Sequence, residues 1–320
     1  MGDSMKVLDG VFGFVVGDAL GVPVEFKSRE ELEKNPVVDM FGMGVHRQPI
    51  GTWSDDTSML LATMDSIIEN QKIDYDSIMN NFCLWALERK YNPHGKVFDM
   101  GITTSVAIQN YLDGKSINDC GCNGYYDNGN GSLMRILPLS YYFLENNLSE
   151  EEIAIVVNKL SSLTHAHSIS CMGCYLYTRY VMFLLMGKDF KESYLSLCDV
   201  DVSMYDLSTI SVYKRVLSGE ILNLSVDKIK ASGFVVSSLE ASIWCNLNSS
   251  NYREAVLKAV NLGEDTDTVA ALTGALAGIR YGTSDIPENW LEQLVKRDYI
   301  ETLSNSYQDT VNRCKRKVRE

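Results

Sequence analysis

Apolar residues recur every three to four positions along almost the whole chain, and this spacing constrains the fold more than any other feature. Met59, Leu60, Thr63, Met64, Ile67 and Ile68 form one such run; Val235, Val236, Leu239, Trp244 and Leu247 form another. A period of about 3.6 residues puts these side chains on one face of a helix, whereas a half-buried strand needs strict alternation. The chain is therefore expected to be all-α. The pattern predicts helices over 4–21, 55–70, 74–90, 103–112, 132–145, 150–162, 166–187, 206–217, 233–249, 251–262, 266–281, 287–296 and 298–316. No repeat of fixed period relates them. With 320 residues, 45% hydrophobic content, six prolines and no biased linker, one compact multi-helix domain over 1–320 is expected. Loops rich in Gly, Asn, Asp and Pro remain at 22–53, 91–102 and 118–131. Loops longer than a connector requires often carry function.

Two of the helices are rich in small residues. One carries Gly10, Gly13, Gly17 and Gly21; the other carries Ala270, Ala271, Gly274, Ala275, Ala277 and Gly278. Each interior glycine costs a helix up to about 1 kcal/mol relative to alanine, so such a stripe needs compensation from close helix–helix approach. If the two helices pack together, their adjoining loops meet.

The charge balance narrows the partners. Lys and Arg number 29 against 42 Asp and Glu, a formal charge of −13, so no general field gathers polyphosphate and nucleic acid is not expected as the main partner. A small anionic ligand stays compatible where metal ions or helix N-termini supply local positive potential. The longest unbroken apolar runs, such as Val269 to Ile279, reach about eleven residues where a membrane span needs about twenty, so no membrane association is expected. Lys6 stands where a myristoylation motif wants Ser or Thr, and no signal peptide follows; a cytoplasmic monomer is the expectation. Eight cysteines are too dilute for a disulfide scaffold, and Cys171-Met-Gly-Cys174 lacks a second pair at zinc spacing, so buried free thiols are expected.

Two acidic turns carry the chemistry. Ser54-Asp55-Asp56-Thr57 opens one predicted helix, and Glu264-Asp265-Thr266-Asp267-Thr268 opens another about two hundred residues later. Capping and the helix dipole account for one acid at such a place, at about 0.3–1 kcal/mol. Here each start carries two, and the second precedes an almost uncharged helix that must be buried. If the starts meet, Asp55, Asp56, Asp265 and Asp267 repel pairwise by about 4 kcal/mol at 4 Å in an effective dielectric near 20. Divalent cations resolve that conflict, and an all-oxygen donor set suits Mg²⁺ first, then Mn²⁺ or Ca²⁺, rather than zinc. From spacing alone, metal ligation and simple capping stand level.

Other signals are weaker by themselves. Gly129-Asn130-Gly131-Ser132 enters a predicted helix, where unpartnered N–H groups admit a phosphate, although a turn and N-cap explain the same residues. His165 and His167 belong to a chain with four histidines; either can contact a ligand or sit as a satisfied first-turn residue. Tyr125 and Tyr126 are candidates for stacking on a base, against ordinary surface packing.

In this order, several segments resemble the ADP-ribosylglycohydrolase family: Gly13-x-x-x-Gly17-Asp18-Ala19-Leu20-Gly21-x-Pro23-x-Glu25-Phe26, Trp53-Ser54-Asp55-Asp56-Thr57-Ser58-Met59, Asp99-x-Gly101-x-Thr103-Thr104, Gly129-Asn130-Gly131-Ser132-Leu133-Met134-Arg135, Thr164-His165-Ala166-His167 and Gly263-Glu264-Asp265-Thr266-Asp267-Thr268. The likeness spans most of the chain and is stronger to the bacterial arginine-type members, because both acidic elements are intact. It implies an all-α enzyme with two Mg²⁺ (or Mn²⁺) ions that removes ADP-ribose from a modified side chain of a protein, most simply arginine, leaving ADP-ribose as product.

By that resemblance Ser54, Asp55 and Asp56 hold one ion, Asp265 and Thr268 the other, and Asp267 bridges them. Glu25 resembles the mobile acid of some members, and Asp99 the acid placed against the ribose; which of Glu25, Asp55, Asp56 and Asp99 moves the proton stays open. Gly129, Asn130, Gly131, Ser132 and Met134 are expected to face the pyrophosphate side, and His165 the adenosine end. Arg135 is assigned equally to an ion pair or to phosphate, and His167 to structure. Two positions depart from the family's pattern: Glu264 where many relatives carry a second glycine, and Ser54 where some use threonine. The segment from about Phe190 to Lys230 carries no motif and is expected to shape the target surface. Alternatives are a serine-linked, nucleic-acid-linked or small-molecule ADP-ribosyl substrate, or a non-catalytic ADP-ribose-binding relative.

Overall fold

The computed structural model describes residues 6–146 and 148–317, with side chains to residue 313. Its α-helices, in chain order, are α1 (Val7–Gly21), α2 (Arg29–Lys34), α3 (Asp55–Asn70), α4 (Tyr75–Cys83), α5 (Ile102–Leu112) and α6 (Leu137–Asn146). They continue as α7 (Glu150–Ser162), α8 (Ser168–Leu185), α9 (Phe190–Cys198), α10 (Leu207–Val212) and α11 (Lys214–Leu217). The last are α12 (Val235–Leu247), α13 (Tyr252–Val260), α14 (Thr266–Tyr281), α15 (Glu288–Gln293) and α16 (Arg297–Lys317). Among the described residues there is no sheet, and three isolated bridges are the extended pairings recorded. The all-α expectation holds.

At the centre, α1 and α14 lie against each other, and the two small-residue stripes are the reason. A Cβ on Gly13 would come 2.2 Å from the Gly274 carbonyl oxygen, one on Gly17 would come 2.1 Å from that of Ala270, and one on Gly21 would meet the Asp267 backbone at 2.3 Å. The partner number falls as the α1 number rises, so the helices run antiparallel. The last turn of α1 thus faces the first turn of α14. Tyr252 of α13 closes the pair from the side, its hydroxyl donating to the Gly13 carbonyl at 2.6 Å.

A third helix start is fixed to the same place by Asp18, on the last turn of α1. Its carboxylate accepts from the backbone N–H groups of Ser54 (2.9 Å) and Thr57 (3.1 Å) and from the Thr57 hydroxyl (2.6 Å). A carboxylate against these free N–H groups satisfies donors that no helical carbonyl reaches. The N-termini of α3 and α14 are therefore neighbours.

Several predicted segments are broken. The 74–90 segment is α4 continued by a π-turn over Leu84–Glu88 that stops at left-handed Arg89. The 132–145 segment opens with a 3-10 turn at Leu133–Arg135 before α6, whose second residue is Pro138; proline has no N–H, so the α-ladder starts beside it. The 206–217 segment divides at Tyr213 into α10 and α11. Apolar periodicity does not predict two of the helices, α2 and α9. Both open with a complete capping box, Ser28 with Glu31 and Asp189 with Glu192, a signal visible in the sequence.

The stretch Val7–Val24 is long and apolar enough to cross a membrane by length and composition, which the count of unbroken apolar runs missed because glycines and aspartates interrupt it. Here it is 89% buried in protein and forms the core helix. The described cysteines are all free, and most are buried, as expected.

Candidate active site

The two acidic turns meet. Asp55 and Asp56 occupy the first turn of α3, Asp265 precedes α14 and Asp267 lies in its first turn. The Thr268 hydroxyl reaches Asp56 Oδ1 at 3.3 Å and ties the two starts directly. With Glu25, just past α1, and Asp99, just before α5, these acids line one cleft of about 440 Å³. No Lys or Arg is among the lining residues, and none of these acids has a Lys or Arg ion pair among the described residues. Asp56 Oδ2 is buried without a hydrogen-bond partner.

Burial governs the electrostatics. Enclosure, and after it the negative charge of Asp265, pushes Glu25 up to about 8; enclosure followed by Glu25 takes Asp99 to about 7. Asp18 is pushed up to about 6 by enclosure, moderated by its hydrogen bonds. Asp55, Asp56 and Asp267 are raised well above the usual carboxylate range, again by desolvation first and neighbouring acids second. Carboxyls so placed resist ionisation unless a cation joins them. Glu25, Asp265 and Asp267 offer oxygens within 4.8 Å of one another. The orphaned Asp56 oxygen, this convergence and the all-oxygen donors fit a hard divalent cation.

Ser54 lies behind the cleft wall rather than on it. Its hydroxyl accepts from the Asp56 N–H at 3.2 Å and its carbonyl from the Ser58 hydroxyl at 2.9 Å, so it caps α3. Thr268 does line the cleft.

The opposite wall comes from 129–134 and His165. Gly129, Asn130, Gly131, Met134 and His165 face the cleft. Ser132 does not: it is fully buried, and its hydroxyl meets the hydroxyl of Ser161 (2.9 Å) and the thiol of Cys174 (3.3 Å). Nor does the segment form a helix N-terminus open to phosphate. The Asn130 N–H donates to the Gly233 carbonyl at 3.0 Å, and the chain runs from there into the short 3-10 turn at Leu133–Arg135. The Asn130 side chain instead donates to Asp265 Oδ2 at 2.7 Å and Ser238 at 2.9 Å, so it orients an acid of the second turn. Gly131 is required by packing, since a Cβ there would sit 2.8 Å from the His165 ring.

His165 is buried, with Nδ1 on the Thr164 hydroxyl at 2.7 Å, and enclosure followed by the nearby Arg135 holds its imidazole down at about 3. It is therefore a neutral ring at the cleft. Arg135 forms neither expected contact. Fully buried, it donates to the carbonyls of Gly131 (2.9 Å) and Leu160 (3.1 Å) and lies over the Phe82 ring. His167 caps α8, its Nδ1 accepting from the Ile169 N–H. Tyr125 and Tyr126 are exposed and line a second cavity of about 330 Å³ that shares Gly129 with the acidic cleft.

Glu264 is exposed and points to solvent, but its backbone matters. At φ 62° it accepts from the Phe26 N–H and donates to the Lys27 carbonyl, both at 2.7 Å, and so fastens the Glu25 loop to the start of α14. The left-handed conformation explains why glycine suits this position.

Sequence reasoning missed several contributors. Asp18 stands inside the first family-like segment, and a charge within an apolar helix was its signal. Thr103 and Thr104 line the cleft beside Asp99, within the same family-like segment as that acid. His46 pairs with Glu25, and the turn before α12 lines the second cavity through Gly233 and Phe234 and is tied to the Gly129–Asn130 segment. Nothing local marked those.

A helical protein that gathers six cleft carboxyls from four remote segments, with no Lys or Arg in the lining, belongs to the class of proteins whose acid-lined cleft offers oxygens to a hard cation. The chain belongs to the ADP-ribosylglycohydrolase family, whose model matches residues 3–317. It is 34% identical to the ADP-ribosylarginine hydrolase Tri1 of Pseudomonas putida, over 93% of this chain and 76% of that one. With the ADP-ribosyl-[dinitrogen reductase] glycohydrolase of Rhodospirillum rubrum it shares 28% identity over 90% of each chain. Among solved structures, an ADP-ribosylglycohydrolase-related protein complex superposes with a TM-score of 0.80 at 27% identity, covering 96% of this chain and 98% of that one. The chain is thus an enzyme of the hydrolase class.

Proposed function

We propose that the protein hydrolyses the N-glycosidic bond between ADP-ribose and an arginine side chain of a modified protein. The observation that carries this reading is the convergence of Glu25, Asp55, Asp56, Asp99, Asp265 and Asp267 in one cleft with no Lys or Arg in its lining. The names of the relatives point to arginine as the linked residue. Two Mg²⁺ or Mn²⁺ ions would complete the site: Asp55, Asp56, Asp265, Asp267 and Thr268, which line the cleft, would hold them, while Ser54 behind the wall would keep the first turn of α3 in place. When bound, the ions supply the positive charge that grips ribose hydroxyls and polarises water.

The chain's own residues do the rest. Breaking a glycosidic bond passes through an oxocarbenium-like state, which negative charge near the anomeric carbon stabilises and a proton on the leaving nitrogen assists. Glu25 and Asp99 place carboxylate oxygens within 4.8 Å of each other and are pushed up to about 8 and about 7 before any cation enters. Such a pair retains a proton at neutral pH and can release it to the leaving group or take one from water. The neutral His165 ring, Gly131 and Met134 form the wall for the adenosine diphosphate half. Tyr125 and Tyr126 stand beyond Gly129 to stack on adenine.

The test is a panel of defined linkages, arginine, serine, nucleic acid and small molecule, assayed for free ADP-ribose with and without chelator. Arginine-linked substrate is expected to turn over and chelation to stop it. Turnover of another linkage alone would change the leaving group; ADP-ribose binding without turnover on any would favour a binding module.

A further inference from the structure

Beside the cleft, outside its lining, sits one imidazole that joins both acid-bearing loops. Nε2 of His46 hydrogen-bonds to Oε2 of Glu25. Its ring contacts two aromatics, with centroids 5.9 Å from Phe26 at an interplanar angle of 56° and 5.3 Å from Phe98 at 48°. Phe26 is next to Glu25 in the chain and Phe98 next to Asp99. Each of these two dipeptides therefore brings a carboxyl to the cleft and a ring into contact with His46, and Phe26 lines the cleft as well. Phe26 and Asp99 both adopt left-handed backbone, with φ 65° and 60°, so neither loop is held by regular structure. The His46 hairpin is itself anchored. Met43 pairs with Gln48, the Gln48 amide donates to the His46 carbonyl at 3.1 Å, and the Val45 N–H donates to the Pro23 carbonyl at 2.9 Å. Gly44, at φ 56°, permits that approach, since a Cβ there would come 2.0 Å from the same carbonyl oxygen.

We infer that His46 is a positioning residue for the reaction: it grips one oxygen of Glu25 and, through Phe26 and Phe98, holds the Glu25 and Asp99 loops in register. The inference rests on the reading of Glu25 as an acid of this site. His46 is not among the residues that line the cleft, so its loss acts through the acids it holds, Glu25 first. Misplacing a reacting group by about 1 Å can cost on the order of a hundredfold in rate.

The experiment compares His46→Ala, His46→Gln, His46→Phe and Glu25→Gln, with the His46→Ala/Glu25→Gln double variant, on an ADP-ribosylarginine substrate. It reads kcat and KM, ADP-ribose affinity by calorimetry, and Tm. His46→Ala is expected to lower kcat by about ten- to a hundredfold with ADP-ribose affinity and Tm little changed. His46→Gln, which restores a donor, is expected to recover most of the loss, and His46→Phe, which restores the ring contacts alone, to recover the clearly smaller part. The double variant is expected to be no slower than Glu25→Gln, because residues acting as a unit are not additive. Recovery by phenylalanine as complete as by glutamine, or additive losses, would overturn the inference; if His46→Ala does not fold, the glutamine and phenylalanine variants decide alone. Full activity in Glu25→Gln would instead remove the role of Glu25, and absent wild-type turnover would remove the proposed reaction, so the three failures are distinguishable.

Discussion

Asp267 lies against both Glu25 and Asp56 and cannot be replaced by an uncharged side chain without removing an oxygen from the proposed cation cage. Asp267→Ala and Asp55→Ala are expected to reduce kcat by at least about a hundredfold, the scale at which removed electrostatic stabilisation registers, measured as ADP-ribose release at saturating Mg²⁺. Asp18 does different work. It is buried under the site and accepts from two N–H groups and a hydroxyl. Asn has one acceptor oxygen and turns its amide donors toward those donors, so Asp18→Asn is expected to destabilise by about 1–3 kcal/mol, read from the urea midpoint at unchanged m-value. Glu264 tests the opposite sign. Its side chain is exposed and its backbone left-handed, so Glu264→Gly is expected to preserve activity and raise stability by up to about 1 kcal/mol, checked by the same melt.

Helix α1 shows how an element can be fully marked in sequence while its purpose is not. The glycine stripe announced a close neighbour, and the alanine-glycine stripe of α14 announced another, but periodicity does not say which helices pair. Contact between backbones does: Gly17 has no room for a Cβ beside the Ala270 carbonyl. In an isolated helix, Gly→Ala gains about 1 kcal/mol. Gly17→Ala here is expected to lose about 1–3 kcal/mol through overpacking, so the sign of the change in a denaturation curve separates the two situations. The helices that periodicity misses, α2 and α9, are short and are carried by their capping boxes. The break before α6 was legible in Pro138.

On the scale of the whole molecule, six cleft carboxyls and buried Asp18 beneath them make stability depend on pH and on cations. Each raised acid binds its proton more tightly folded than unfolded, so between the unfolded value near 4 and the folded values of about 6 for Asp18, 7 for Asp99 and 8 for Glu25 the native state carries more protons. Stability of the chelator-treated protein should therefore fall as pH rises from about 4 to about 8. Mg²⁺ should flatten that slope and add about 2.7 kcal/mol of stability at a hundred times its dissociation constant, with a higher Tm; a melt series in pH with and without the ion reads both. By itself, the sequence determined the helical class, the acids and hydroxyls able to hold hard cations and the family, because side-chain period and local motif chemistry are properties of short segments. Only the tertiary structure decided that Ser132 and Arg135 turn into the core, that Asn130 serves Asp265, and that Asp18 and His46 belong to the site. Those outcomes depend on which distant carbonyls and carboxyls each side chain meets, and such contacts are created when the helices pack.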